Sequence, residues 1–256
     1  MKIALVCDDL VQHGGHERVV MDICELFPDA PLYTTLATKE WQKVCRDRGV
    51  CLKTSYLQLL PFKKVLNKFY AGVLLHAFAI QDLKLTEYDV VISISARFAH
   101  WVVVSSNTTH ICYMSTVGRM FWEPHTYFKN GFVKRFVSFL LSAVRTCDFV
   151  NAAKVDYFIA NSVITQKRIK KYYRRDSKLI HPGVGISVVS SLPGISESPY
   201  FLVVTRLVAW KNVDIAIKAC QALKVPLKII GEGPDKERLK RIAKGFSNVE
   251  FLGYVS

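Results

Sequence analysis

Two cations stand directly behind an apolar run in the last quarter of the chain. Phe201–Val204 is apolar, β-branched and aromatic and is bounded by turn residues, which predicts a buried strand. Arg206 and Lys211 follow it, at the mouth of a helix predicted over Lys211–Leu223. The apolar positions of that helix, Val213, Ala216, Ile217, Cys220 and Leu223, recur at helical spacing. Fixed positive charge at the carboxyl end of a strand, beside a helix N-terminus, is the chemistry of anion binding. A diphosphate there would be met by donors, dipole and charge together. Leu227–Ile230 reads as a second strand, closed by Gly231-Glu232-Gly233-Pro234. A charged amphipathic helix and a third strand, Val249–Leu252, complete a βαβαβ half-unit of a nucleotide-binding parallel sheet.

A second candidate lies at the other end. Lys2–Cys7 reads as a buried parallel strand. The loop Asp8–Gly15 follows, then a helix from near His16 with Val19, Val20, Ile23, Leu26 and Phe27 on one face. Strand, Gly14-Gly15, helix lets backbone amides approach a phosphate or sugar closely. The same glycine pair also fits a tight turn and nothing more. Asp8-Asp9 fits the acidic pocket of a receiver domain, a reading that the glycine loop and the chain length oppose.

The elements between are read more coarsely. Strands are predicted at Leu32–Leu36, Cys51–Thr54, Asp89–Ile94, Ile111–Met114, Tyr157–Ala160 and Lys178–Ile180. A helix over Phe62–Phe78 carries Lys63, Lys64 and Lys68 beside Phe62, Leu66, Phe69 and Tyr70. That mixture fits either a membrane-facing surface or a core face plus a solvated one. A helix over Gly131–Val144 has Phe132, Phe136, Leu140 and Val144 as its expected buried stripe. Lys167–Arg175 is a cationic run with two tyrosines, which fits a lipid-headgroup or nucleic-acid patch or simply a solvated helix face. Gly185–Ser198, rich in Ser, Gly and Pro, is expected to link a first domain, 1–184, to a second, 199–256.

The 256 residues suit one large or two modest domains, and half of them are apolar. The net charge of +14 calls for an acidic partner or surface: sugar nucleotide, anionic lipid or nucleic acid. No nucleic-acid-binding motif supports the last, so none is expected as a partner. Seven cysteines without CxxC pairing read as reduced thiols in a cytoplasmic protein. His and Cys do not cluster at metal-ligand spacing, so no metal and no cofactor are expected. The longest apolar runs fall short of the ~20 residues a membrane span needs.

Three motifs carry a family resemblance. T-R-L-x-x-x-K-N after a strand, then I-G-x-G-P, then N-V-x-F-L-G resembles the second domain of family 4 glycosyltransferases, retaining enzymes of the GT-B fold. G-G-H-E-R-V-V is similar to the segment that opens the same family. Ser115-Thr-Val-Gly-Arg119-Met-Phe-Trp122 is similar to its H-T-P-x-R-x-x-W run, with Ser115 standing where the family has His and Val117 where it has Pro.

The resemblance implies an α/β, GT-B-like chain of two Rossmann-like lobes. It implies transfer of a hexosyl group from a nucleotide sugar to a lipid-linked or saccharide acceptor, with retention of configuration. Donor-binding residues would be Arg206, Lys211, Gly14, Gly15, Gly231, Glu232 and Leu252; Ser115 and Arg119 would lie on the acceptor or sugar side. No catalytic residue is assigned. The family continues beyond the position of Ser256 into a glutamate-bearing segment that binds the donor sugar, so the second lobe is expected to be incomplete. The alternative is a non-catalytic module that binds nucleotide or acceptor. An anionic membrane surface is a further expected partner, met from the cytoplasmic side.

Overall fold

The computed structural model describes residues 1–60, 71–124, 131–184 and 199–255. The chain divides into two compact units, Met1–Gly185 and Ile186–Ser256. The expected linker, 185–198, lies outside the described residues.

The first unit is built on a seven-stranded parallel sheet. Its strands are β1 (Ile3–Cys7), β2 (Leu32–Thr34), β3 (Leu52–Thr54), β4 (Val90–Ser95), β5 (Thr109–Met114), β6 (Tyr157–Ala160) and β7 (Lys178–Leu179), in the order β3-β2-β1-β4-β5-β6-β7. A sheet buried on both faces needs apolar side chains at every position of its central strands, and Ala4, Leu5, Val6 and Cys7 of β1 are all fully buried. Alternation then sends them to two different cores. Leu5 and Cys7 pack with Val20, Met21 and Cys24 of α1 (Gly15–Leu26) and with Trp41 and Cys45 of α2 (Lys39–Asp47). Ala4 and Val6 pack with Ala77 and Ile80 of α3 (Ala71–Gln81), Phe121 of the short α4 (Arg119–Trp122) and Leu141 and Val144 of α5 (Gly131–Ala153). The order reverses between β1 and β4, and a crevice at the carboxyl ends of those two strands is the ligand position in open sheets of this kind.

A buried carboxylate ties this unit together. Asp148 of α5 is fully buried and accepts from Trp101 Nε1 (2.8 Å), Trp122 Nε1 (2.6 Å) and Tyr173 Oη (2.8 Å). Its Oδ1 also pairs with His100 Nε2 at 3.1 Å, and the other ring nitrogen of His100 meets Ser95 Oγ at 2.9 Å. Burial first, then the Asp148 carboxylate, raises the Tyr173 phenol well above its ordinary range.

Several expectations change in detail. Leu26 is 73 % exposed, because α1 turns Val20, Met21 and Cys24 inward and Leu26 ends it beyond the sheet. Val144 is buried as expected, but Leu140 is half exposed and its neighbour Leu141 fills the core in its place. The helix α2 was not anticipated; Thr38 caps it, accepting from the Trp41 amide at 3.3 Å. Residues 62–70 of the predicted basic helix, with Lys63, Lys64 and Lys68, lie outside the described residues, as do the side chains of Phe132 and Phe136.

The second unit has a three-stranded parallel sheet of order β10-β9-β8: β8 (Phe201–Val204), β9 (Leu227–Ile230) and β10 (Val249–Gly253). Two helices, α7 (Val213–Leu223) and α8 (Lys236–Ala243), cover one face, over Val203, Leu227, Ile229 and Phe251. In the first unit α6 (Val163–Arg168) lies between β6 and β7. The strand expected to be buried, β8, is an edge strand instead. Leu202 and Val204 point to the face that the helices do not cover and are exposed, as is Phe201.

The seven cysteines are all free: Cys7, Cys24, Cys45, Cys112 and Cys220 are buried, Cys51 and Cys147 exposed. No helix among the described residues is long and apolar enough to cross a membrane.

Candidate active site

The first unit gathers its polar groups where β1, β4 and β5 end. Asp8, the residue after β1, is 4 % exposed, and its carboxylate accepts from four successive backbone amides: Ala96 (2.7 Å), Arg97 (2.9 Å), Phe98 (2.7 Å) and Ala99 (2.6 Å). Burial alone would raise the Asp8 carboxyl. The Arg97 guanidinium, then His16, then the Ala96 and Phe98 amides overcome that and hold it below the usual carboxylate range. Asp9 forms a close ion pair with Arg97. The acidic pair after β1 therefore clamps the turn after β4.

Gly14 and Gly15 differ in what they do. Gly14 is extended and caps α1; a Cβ there would come within 2.9 Å of Glu17 Oε2, the movable end of a side chain, so a larger residue would require only Glu17 to shift. Gly15 is exposed and a Cβ there would meet nothing within 4 Å, which leaves its backbone open to a ligand. Burial raises the Glu17 carboxyl, against the pull of its own backbone amide and of His16. A groove lined in part by His13, Gly14, Arg18, Trp41 and Arg48 runs alongside α1 and α2.

Ser115 follows β5 and is half buried. Its amide donates to the Ser95 carbonyl at 2.8 Å, its carbonyl accepts from Thr165 Oγ1 at 3.2 Å, and its Oγ lies 2.9 Å from His16 Nδ1. The structure therefore joins two motifs read separately in the sequence, ninety-nine positions apart. His16 Nε2 is buried without a hydrogen-bond partner and lies 3.9 Å from Asp8 Oδ2. Arg119 opens α4 and is exposed. Gly118 before it is required by packing, since a Cβ would fall 2.4 Å from the Phe121 ring.

In the second unit Arg206 and Lys211 are both exposed and flank the loop between β8 and α7. Lys211 closes a short 3₁₀ turn, Ala209–Lys211, and α7 begins only at Val213, two residues later than expected. Asn212 makes the break, in the left-handed conformation (φ 50°) that Asn tolerates better than most residues. Gly231 and Gly233 are explained by backbone approach: Cβ atoms there would lie 1.8 Å from the Thr205 carbonyl oxygen and 2.2 Å from that of Leu207. They let the loop after β9 lie against the loop that carries Arg206. The Glu232 side chain is half exposed and pairs with Lys236 at 2.5 Å. Leu252 is 40 % exposed, on β10.

Three of the six cations of the run, Arg168, Lys170 and Arg175, are engaged within the fold. Arg168 makes a two-pronged contact with Glu123 (3.1 and 3.0 Å), and Lys170 pairs with Asp176 at 2.6 Å. Arg175 donates to the carbonyls of Ala152, Ala153 and Asp156. Tyr173 is buried on Asp148, and Tyr172 stacks on Trp122 with centroids 4.7 Å apart. Lys167, Lys171 and Arg174 are the remaining cations of the run. Among the described residues no group of three or more His, Cys, Asp or Glu is placed to hold a metal ion.

Residues 190–256 match the family model described as glycosyl transferases group 1. No curated protein matches the chain in sequence. Among solved structures, the Anabaena protein Alr3699/HepE in complex with UDP superposes with a TM-score of 0.66 at 17 % identity, over 100 % of this chain and 70 % of that one. A glycosyltransferase from Rickettsia africae gives 0.58 at 14 % identity, over 100 % of this chain and 69 % of that one. A mutant of TarM from S. aureus, in complex with Fondaparinux, alpha-GlcNAc-glycerol and UDP, gives 0.57 at 11 % identity, over 100 % and 78 %. A seven-stranded parallel sheet and a second, small parallel sheet thus form an α/β fold of the GT-B glycosyltransferase type, and its residues 190–256 carry the group 1 glycosyl transferase match.

Proposed function

We propose that the chain is a retaining hexosyltransferase, or the larger part of one, that takes a hexosyl group from a nucleotide-diphosphate sugar. The first unit, 1–184, would serve the lipid-linked or saccharide acceptor, with Ser115 and Arg119. The second, 199–256, would hold the donor. The observation that carries the reading is the loop between β8 and α7, within the matched segment, where Arg206 and Lys211 stand beside a helix N-terminus. The Anabaena neighbour is known in complexes with UDP and with UDP-glucose, which supports a nucleotide-sugar donor.

The chemistry follows from charge. The bond from the anomeric carbon to the diphosphate oxygen breaks, and a bond to an acceptor hydroxyl oxygen forms. The hydroxyl proton passes to the departing phosphate oxygen, so no protein base is needed. Negative charge grows on the leaving diphosphate as that bond breaks. Arg206, Lys211 and the first amides of α7 are the groups that would stabilise it, with no cofactor required. Gly15 and Gly231 would let backbone approach the ligand, with Glu232 and Leu252 beside the donor.

The test is calorimetric titration of the full chain with nucleotides. A charge-assisted contact contributes ~1.5–3 kcal/mol, so UDP or GDP should bind at least about tenfold tighter than the matching monophosphate. Equal affinities for mono- and diphosphate would defeat the reading of the β8–α7 loop as a diphosphate site.

The proposal extends to an anionic membrane surface, on the strength of the net charge of +14. Each basic residue near such a surface contributes ~1 kcal/mol. Co-sedimentation should therefore require anionic vesicles and weaken as salt is raised from 50 to 500 mM, within the range over which screening lengths collapse. Equal partitioning to neutral vesicles, or none to either, would remove the membrane from the list of partners.

A further inference from the structure

We propose that Arg238 is a positioning residue for the loop between β8 and α7: it engages two carboxylates that border the loop, Asp214 and Asp235, and cancels the field they would set against an anion there. This deepens the reading of that loop as a diphosphate site and rests on it for the ligand. The clamp itself lies within the second unit and stands on its own geometry.

Both acids occupy helix starts. Asp214 lies in the first turn of α7, shortly after Lys211. Asp235 immediately precedes α8, and its amide donates to the carbonyl of Leu207, the neighbour of Arg206, at 3.0 Å. An acid in that position ordinarily accepts from the first amides of its helix. The Asp235 side chain makes no such cap; its two oxygens accept from Arg238 Nε and Nη2, at 2.7 Å each. The same Nη2 lies 3.5 Å from Asp214 Oδ1, and Lys218 Nζ lies 3.8 Å from Asp214 Oδ2. Arg238 therefore bridges α7 and α8 through both acids.

The clamp reaches the loop in two ways. The first is mechanical. The Leu207 amide donates to the Glu232 carbonyl at 2.9 Å and the Leu207 carbonyl accepts from Asp235, so the backbone beside Arg206 is stitched to the segment that ends at Asp235. A planar guanidinium fork holds a carboxylate in two directions at once, which fixes that end. The second is electrostatic. The dipole of α7 draws an acid in its first turn to the same place as it draws a phosphate. Charges closer than a Debye length, ~10 Å at 0.1 M salt, feel one another at a protein surface. Asp214 and Asp235, set against Arg238 and Lys218, form a balanced group. Without Arg238 the group carries an uncompensated negative charge beside the loop.

Two measurements on the full chain test the proposal separately. ¹H–¹⁵N spectra recorded without ligand report the Arg238 Nε–H, assigned by its loss in Arg238→Lys. It should exchange slowly with solvent in the wild type and fast in Asp235→Ala; equally fast exchange in both overturns the clamp. Calorimetric titration with UDP and GDP then reads its effect. Arg238→Ala should weaken the preferred nucleotide roughly three- to tenfold at ~50 mM salt and less at ~500 mM, as screening sets in. Arg238→Gln, which keeps the side-chain stem, should lose as much. Adding Asp214→Ala to Arg238→Ala should recover most of the affinity, which a purely structural role for Arg238 would not allow. Variants that bind as the wild type does, or a loss that Asp214→Ala fails to recover, overturn the electrostatic role. A wild type that binds neither nucleotide overturns the diphosphate reading and the role proposed for Arg238 in it, and the Nε–H result still decides the clamp.

Discussion

Asp148→Ala is expected to lower the unfolding free energy by about 3–5 kcal/mol, the range for breaking a buried charged network by removing one partner. Asp148 sits on α5, and its partners come from three other places: His100 and Trp101 after β4, Trp122 of α4, and Tyr173 in the turn after α6. Truncation leaves two indole N–H groups, a phenol and an imidazole nitrogen without an acceptor in an interior that excludes water. Each buried orphan costs ~1–3 kcal/mol, and the contributions are coupled rather than additive. Asp148→Asn keeps one oxygen acceptor and should lose less. Urea unfolding monitored by tryptophan fluorescence reads the effect directly, since Trp101 and Trp122 are themselves in the network. A loss below about 1 kcal/mol for the alanine variant would mean that the freed donors find water.

Arg206→Ala and Lys211→Ala should each weaken nucleoside-diphosphate binding roughly ten- to a hundredfold, from ~1.5–3 kcal/mol per charge-assisted contact. The effect should be smaller on monophosphates, because two groups on one short loop are matched to two phosphates. Both side chains are exposed, and neither belongs to the buried core of the second unit, so stability should change little. Calorimetry with UDP and GDP on wild type and both variants separates the outcomes. Variants that bind as tightly as wild type would take these two cations out of the site. Variants that bind poorly but also unfold early would assign them a structural role instead.

The fold was legible where apolar runs are long and self-contained. Each strand of the first unit appears within two or three residues of its predicted position, because a doubly covered parallel sheet writes itself as short apolar runs. Burial in the second unit was misread for a geometric reason. Phe201–Val204 has the composition of a central strand, but a run of apolar letters does not say whether both neighbours and both faces are present. The helix α2 escaped notice because only Trp41 and Cys45 of its nine residues are buried.

The candidate site was legible in part. Gly14, Gly15, Arg206 and Lys211 stand in local motifs that bring their own context. The links between motifs did not show: His16 meets Ser115, and Asp8 meets residues 96–99, across gaps of more than eighty positions. Sequence periodicity carries no information at that range. One signal was available for Asp148, since the buried indole of Trp101 requires an acceptor, and a lone acid on an apolar helix is the simplest supplier. The cationic run shows the converse. Arg168 is engaged with Glu123 and Arg175 with backbone carbonyls, which net charge alone cannot display.

The distribution of thiols turns the protein into its own clock for opening motions. Cys51 and Cys147 react with a maleimide at once, whereas Cys112, inside β5 and three residues before Ser115, is shielded until that strand separates from its neighbours. Burial also pushes the Cys112 thiol far above its ordinary range, so labelling there reports exposure rather than incidental ionisation. With the two exposed thiols first blocked, the slow modification of Cys112 by mass spectrometry times how often the sheet beneath Ser115 comes apart under native conditions.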